Sequence, residues 1–458
     1  MKWYARRELL IFLLLLCLFL LLLPILSRGN RLIGGEGYYN LRLAEEKNFN
    51  YDKYSFSGRY FYGEIGYIYL LSFAPDFFSK WLPFFFGIGS FILFYFIVEM
   101  LKRDLRNIAG LFLLLNPGFL WLFTHSSKYS AGVFFFLLGI YFMMRMKLFY
   151  CWIIVLLIGF FSFWLGLIYF LSVLFFINPK KIFYLSGLFL LFFGFFEYRF
   201  IAYEDIFNLG LYIFSFSNVA NNFLIEFGGI YLSLFSLILV FIGMTVLWKQ
   251  RFIYILAYVS LFIFFLFGFY FEFFYYILIF LLVYLSAIGL DWIISFNWSD
   301  KILGGVILFL FLLTSVFGVY FTENDLIYSE PSIEFIDSLN FLNNWSSEDV
   351  VFSHYTNGHY ISYIRMKNLM DEHFSFSVDL DERLIDSSLL YESVYIRDAK
   401  DILDKYNVRF ILIDQNMRRL WIRDDEELLF LLKYSDEFTL VFENDEVKIY
   451  EYNGRLFK

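Results

Sequence analysis

Long apolar runs dominate the chain from residue 9 to residue 321, and stretches such as Leu9–Leu23 carry no charged side chain. Runs of roughly 18 or more such residues are long enough to cross a bilayer. A backbone in lipid must satisfy its own polar groups, so these runs predict helices. A membrane β-barrel would alternate apolar and polar residues, and that alternation is missing. Composition agrees: the 458 residues are 60% hydrophobic and 25% aromatic, against roughly 45–50% apolar usage in soluble domains. A cytosolic globule is excluded. The net charge is -8, and the segment after Phe321 is rich in Asp and Glu, as suits a solvated domain. No nucleic-acid partner is expected. Cys17 and Cys151 both lie inside apolar runs, so neither a disulfide framework nor a thiolate zinc site is available.

Lys2, Arg6 and Arg7 precede the first run and place the N-terminus in the cytoplasm. That run is too long for a cleaved signal peptide and lacks a small-x-small site. Spans are predicted near 9–27, 82–101, 107–124, 130–146, 150–163, 165–177, 182–198, 228–248, 252–268, 270–290 and 302–321, about eleven helices in all. Lys102, Arg103 and Arg106, then Arg145 and Lys147, Lys180 and Lys181, and Lys249 and Arg251 then fall in inner loops. An odd number of spans leaves the C-terminal domain extracellular.

The expected architecture is a polytopic α-helical membrane protein. Residues 1–321 form its helical body, with polar outer loops at 28–81 and 199–227. Ile65–Phe73, inside the first loop, is too short to span and is expected to lie in the interface. From 322 to 458 the pattern changes to short β-like runs (Val350–Ser353, Phe410–Ile413, Phe438–Phe442, Val447–Tyr452) between charged helical stretches such as Ser332–Asn343 and Asp398–Tyr406. Glu443-Asn444-Asp445-Glu446 reads as a hairpin turn. This is a C-terminal extracytoplasmic α/β domain.

Charged residues beside membrane helices are costly and mark candidate sites. Glu36 sits among Gly34, Gly35 and Gly37, with Arg42 six residues on, which suits a base or metal ligand near an anionic group. Lys128 and Arg199 suit a lipid phosphate, although cations at helix ends also snorkel for structural reasons. Glu226 precedes Gly228-Gly229 at a helix entry, where a carboxylate is also a routine cap. His354, His359 and His373 lie close in sequence, without zinc spacing. No Walker loop, dinucleotide fingerprint, nucleophile elbow or His-Glu-x-x-His helix is present.

Glu36-Gly37-Tyr38-Tyr39-Asn40-Leu41-Arg42 resembles the acidic-x-Tyr-Tyr-His-Leu-Arg signature that follows the first helix of oligosaccharyltransferase catalytic subunits and their relatives, the type C glycosyltransferases. Val351–Ile361 is similar to the stretch around that family's Trp-Trp-Asp-Tyr-Gly motif, of which Gly358 alone is kept, with His354, Tyr355, Thr356 and Asn357 at the other positions. Tyr406–Asp414 resembles a strand common in such domains. The second outer loop carries Ser126, Ser127, Lys128 and Tyr129 where relatives have an acidic metal ligand.

The resemblance implies transfer of a sugar from a polyprenyl- or dolichyl-phosphate donor to a glycan, lipid or protein acceptor at the outer membrane face. It implies catalytic roles for Glu36 and Glu226, both also potential ligands of Mg2+ or Mn2+. Donor phosphate would be held by Arg42, Lys128 and Arg199, and the acceptor region would comprise His354, Tyr355, Asn357, Gly358 and His359. Transfer to protein asparagine, and non-catalytic binding of lipid-linked glycan, are the alternatives.

Overall fold

The computed structural model describes residues 8–47, 51–60, 65–176, 234–247, 273–295, 301–329, 331–373, 379–420 and 427–454. Two compact units divide the chain: Met1–Asn30, Glu64–Tyr67 and Phe77–Tyr328 form one; Arg31–Gly63, Ile68–Asp76 and Ser329–Lys458 form the other.

The first unit is helical. Leu9–Ser27, Pro75–Leu101 and Tyr276–Ser295 are long and apolar enough to cross a membrane, and the protein is an integral membrane protein. Helices Lys128–Met144, Leu148–Phe161, Phe163–Phe176, Leu234–Leu247 and Lys301–Tyr328 accompany them. Leu148–Phe161 and Phe163–Phe176 have 14 residues each, about 21 Å of helix against a hydrocarbon core of about 30 Å. They part at Ser162, whose extended backbone ends the first of them.

The expected single span at 107–124 is instead a broken one. Arg106–Leu114 and Pro117–Thr124 meet at a 65° bend. Pro117 has no N–H to donate to the preceding turn, and Asn116 caps the new helix by accepting from the Phe119 N–H at 3.2 Å. Predicted spans 182–198 and 252–268, with outer loop 199–227, lie outside the described residues.

The second unit is built on a sheet. β1 (Tyr51–Asp52) and β2 (Arg59–Tyr60) pair antiparallel. β3 (Val350–Phe352), β4 (Lys367–Asn368), β5 (Val408–Ile413), β6 (Phe438–Glu443) and β7 (Lys448–Tyr452) form a five-stranded sheet in the order β4-β3-β5-β7-β6. β4, β3 and β5 run parallel; β7 is antiparallel to β5 and to β6. Apart from Arg409, every residue of β5 is buried, as befits the central strand. The β6–β7 hairpin closes where expected: Asn444 Oδ1 accepts from the N–H groups of Glu446 and Val447 at 3.1 and 2.7 Å. Ser332 caps helix Ile333–Leu342 through the Phe335 N–H. Leu32, Tyr38 and Leu41 share one core with Phe335, Leu339, Val351, Phe410 and Ile449, so the segment that follows helix Leu9–Ser27 helps form the interior of the sheet unit. Each aliphatic side chain fully buried there contributes about 2 kcal/mol.

Candidate functional site

Glu36-Gly37-Tyr38-Tyr39-Asn40-Leu41-Arg42 lies in helix Gly34–Glu46, and helical spacing sorts its members by role. Tyr38 is buried with its ring edge-on to Tyr360 and Tyr363, and its hydroxyl accepts from the Leu32 N–H at 3.2 Å. Tyr39 and Arg42 share an adjacent face and enter a buried polar network. Arg42, expected at a donor phosphate, is 0% exposed and grips Asp52 with two bonds of 2.8 and 2.6 Å. Asp52 Oδ1 also accepts from the Tyr54 and Ser55 N–H groups, pinning the turn that follows β1. Glu36 sits half-buried in the first turn of the helix.

Arg59 repeats the arrangement with a partner 312 residues away, pairing with both carboxylate oxygens of Asp371 at 3.0 Å. It also donates to the His373 carbonyl at 2.7 Å and to the Tyr39 hydroxyl. Burial alone would raise the Asp52 and Asp371 pKa values. Arg42 and Arg59 outweigh it, holding Asp52 well below the carboxylate range and Asp371 down at about 2. Unpaired, a buried ion would be severely penalised; bidentate and hydrogen-bonded, these pairs are tolerated and fix the register of two distant segments. Sequence reasoning missed Asp52, Arg59 and Asp371. The only local signal was charge embedded among Tyr and Phe.

The predicted acceptor stretch follows the C-terminal end of β3, and the ends of β4 and β5 bring Asp371 and Asp414 beside it. In open sheets with parallel strands the carboxyl ends are where ligands bind. His354 Nδ1 lies 2.8 Å from the Thr356 hydroxyl, and its ring packs at a tilt against Tyr355, the centres 4.0 Å apart. Burial holds its pKa below the ordinary value, with Asp414 opposing. Asn357 is turned inward, donating to Ser353 Oγ at 3.0 Å and Asp414 Oδ2 at 2.6 Å. Gly358 has a steric reason to be glycine: a Cβ there would lie 2.2 Å from the Met370 carbonyl oxygen. His359 is 0% exposed, and a Cβ on Gly35 would come within 3.2 Å of its own Cβ. His359 therefore seats the first turn of the helix that carries Glu36. The rings of Tyr39, His359 and His373 pack pairwise in tilted or edge-on contact, their centres 4.7 to 4.9 Å apart. Burial pushes His359 down to about 4, against a smaller raising effect of Asp371, so the ring is neutral at pH 7.

In the helical unit, Lys128 opens helix Lys128–Met144, capped by Ser127, and its ammonium lies 5.3 Å from the Tyr129 ring centre. Ser126, beside it, shares a 3.1 Å hydrogen bond with the Tyr67 hydroxyl. Arg199 and Glu226 lie outside the described residues. Among the described residues no three His, Cys, Asp or Glu side chains converge as metal ligands. The described side chains do not by themselves fit a resident Mg2+ or Mn2+.

With this geometry in hand, the chain compares with solved structures over nearly its whole length. The apo oligosaccharyltransferase of Archaeoglobus fulgidus matches with TM-score 0.62 at 12% identity, over 91% of this chain and 71% of that one. AglB from the same organism, in complex with an inhibitory peptide and a dolichol-phosphate, matches with TM-score 0.60 at 13% identity, over 94% and 73%. ArnT from Cupriavidus metallidurans, bound to undecaprenyl phosphate, matches with TM-score 0.59 at 11% identity, over 96% and 98%. The fold is that of the type C glycosyltransferases. No family model and no curated protein matches the sequence. At these identities the likeness establishes the type C fold, and Gly358 and the Tyr38-Tyr39-x-x-Arg42 face now have structural roles within it.

Proposed function

We propose that the chain is a membrane glycosyltransferase that moves a sugar from a polyprenyl-phosphate donor to an acceptor at the outer face. The observation that carries this reading is the nearly full-length likeness to AglB and ArnT, whose structures hold dolichol-phosphate and undecaprenyl phosphate. In this reading about eleven helices span the membrane, with the N-terminus cytoplasmic and the sheet unit extracellular. Glu36 accepts the acceptor's proton as that oxygen attacks the anomeric carbon, and the bond to the polyprenyl phosphate breaks. The leaving phosphate needs cationic partners, for which Lys128 and Arg199 are proposed. Arg42, being buried against Asp52, holds the Glu36 helix in place. Glu226 supplies a second carboxylate. No step is routed through a metal.

Transfer to protein asparagine is the rival reading, favoured by the likeness to the Archaeoglobus oligosaccharyltransferase. The inward-turned Asn357 and the hydrogen-bonded His354–Thr356 pair favour a different acceptor. The test is consumption of radiolabelled polyprenyl-phosphate sugars by the detergent-purified protein, with sequon peptide, glycan and lipid acceptors in parallel. Label reaching a non-peptide acceptor supports the proposal. Label reaching only the peptide replaces it with the rival, and no consumption with any acceptor rejects both.

A further inference from the structure

Beside the break at Asn116-Pro117 the helical unit holds a cavity of about 240 Å³. Its polar lining is Asn116, Ser236, Thr314, Ser315, Thr322 and Asp325; the remaining described lining residues, Pro117 and Gly318 apart, are Phe, Leu and Val. Two of the lining residues are buried and each has a polar group with no partner among the described residues. Ser315 is 6% exposed and its hydroxyl makes no hydrogen bond among the described residues. Asn116 is 3% exposed, and while its Oδ1 accepts from the Phe119 N–H, its Nδ2 is unpartnered among the described residues. Thr314 and Thr322 behave differently, donating back to the Leu310 and Gly318 carbonyls at 3.0 and 2.9 Å and keeping lone pairs to accept with. Donors that line a cavity and have no partner among the described residues can take one from outside.

The chemistry of the wall selects that partner. Among the described lining residues there is no Lys, Arg or His, and the one charge is the Asp325 carboxylate. A phosphate here would find no counter-ion and one repulsive neighbour. A neutral head with hydroxyl groups would find both what it donates to and what it accepts from. On the same helix Val316, Phe317, Tyr320 and Phe321 are exposed apolar side chains, the face that an integral membrane protein turns to lipid tails. The occupant is therefore amphipathic, with tails along that face and its head in the cavity.

We propose that this cavity binds a lipid with an uncharged, hydroxyl-bearing head group. The binding does not rest on the glycosyltransferase reading. The test uses full-length protein in detergent, with tritiated monoglucosyl-diacylglycerol as probe and phosphatidic acid as competitor. Ser315→Ala/Thr322→Val removes hydroxyls at nearly constant volume, and Gly318→Leu fills the space. Wild type is expected to bind the probe saturably, with phosphatidic acid a poor competitor. The double variant should bind about tenfold more weakly, as two lost hydrogen bonds predict, and polyprenyl-phosphate binding should stay within about twofold. Equal probe binding in wild type and double variant, or equal competition by phosphatidic acid, overturns the site. If Gly318→Leu does not purify, the double variant decides alone. Transfer to another acceptor, with no probe binding, rejects the site and leaves the glycosyltransferase reading standing.

Discussion

Two regions, the Arg42 and Arg59 network of the sheet unit and the cavity beside Asn116 in the helical unit, treat buried polar groups in opposite ways. In the sheet unit's network charges stand in matched pairs, Arg42 with Asp52 and Arg59 with Asp371, and each carboxylate also accepts from backbone N–H groups. Around the break at Asn116 the polar groups lining the cavity, Asp325 apart, are uncharged, and two of them have no partner among the described residues. A network satisfied from within holds the fold; polar groups left open can receive a ligand. The paired charges of the sheet unit are thus architectural, and the cavity beside Asn116 is the better candidate for recognition.

The largest expected effect comes from breaking a matched pair. Asp371→Ala strands Arg59 in the interior and should lower the stability of the sheet unit by roughly 3–5 kcal/mol, read as thermal unfolding of the purified protein. A loss of less than about 1 kcal/mol would remove the contrast between the units.

Acid should weaken the same unit in two stages. His359 is buried neutral with its pKa at about 4, below the unfolded value of about 6.5. The unfolded chain takes up a proton that the folded chain refuses, so stability falls as pH drops from about 6.5 to about 4, by roughly 1.4 kcal/mol per pH unit. Below that window the depressed carboxylates take over: Asp371 stabilises above about pH 4 and ceases to as pH falls through about 2. His359→Gln should flatten the first stage and leave the second. An unchanged slope between pH 6.5 and 4 would show that His359 is not the group responsible.

The smallest effect belongs to the helical unit. Asn116→Ala removes one cap and should cost about 1 kcal/mol, while Asn116→Ser, which keeps a cap, should recover most of it. A loss as large as that of Asp371→Ala would make Asn116 as architectural as the ion pairs and blur the comparison.

Much of this was legible in the sequence because it is local. β5 to β7, their turn and helix Ile333–Leu342 follow from alternation, an Asn at the turn and a Ser cap. Leu9–Ser27 follows from an unbroken apolar run. Other features were hidden for physical reasons. The break at 115–116 was masked by the high hydropathy on both sides, although Asn116-Pro117 is itself a helix-start signal. The Arg59–Asp371 pair spans 312 residues, and no periodicity reports such a partner. Arg42 looked like a phosphate ligand because it stands near Glu36 in sequence; six residues of helix, about 1.7 turns, put it on the buried face instead. Asn116 and Ser315 read as ordinary residues in apolar helices, and only the packing of four segments shows that they line a common space.

The most direct test of the account is release of sugar from a radiolabelled polyprenyl-phosphate donor by wild type and by Glu36→Ala, both checked for intact thermal unfolding. The account predicts turnover in wild type and a loss of at least about 100-fold in the variant, with donor binding retained. Glu36→Ala turning over at the wild-type rate, or a wild type that binds the donor and never consumes it, would contradict it.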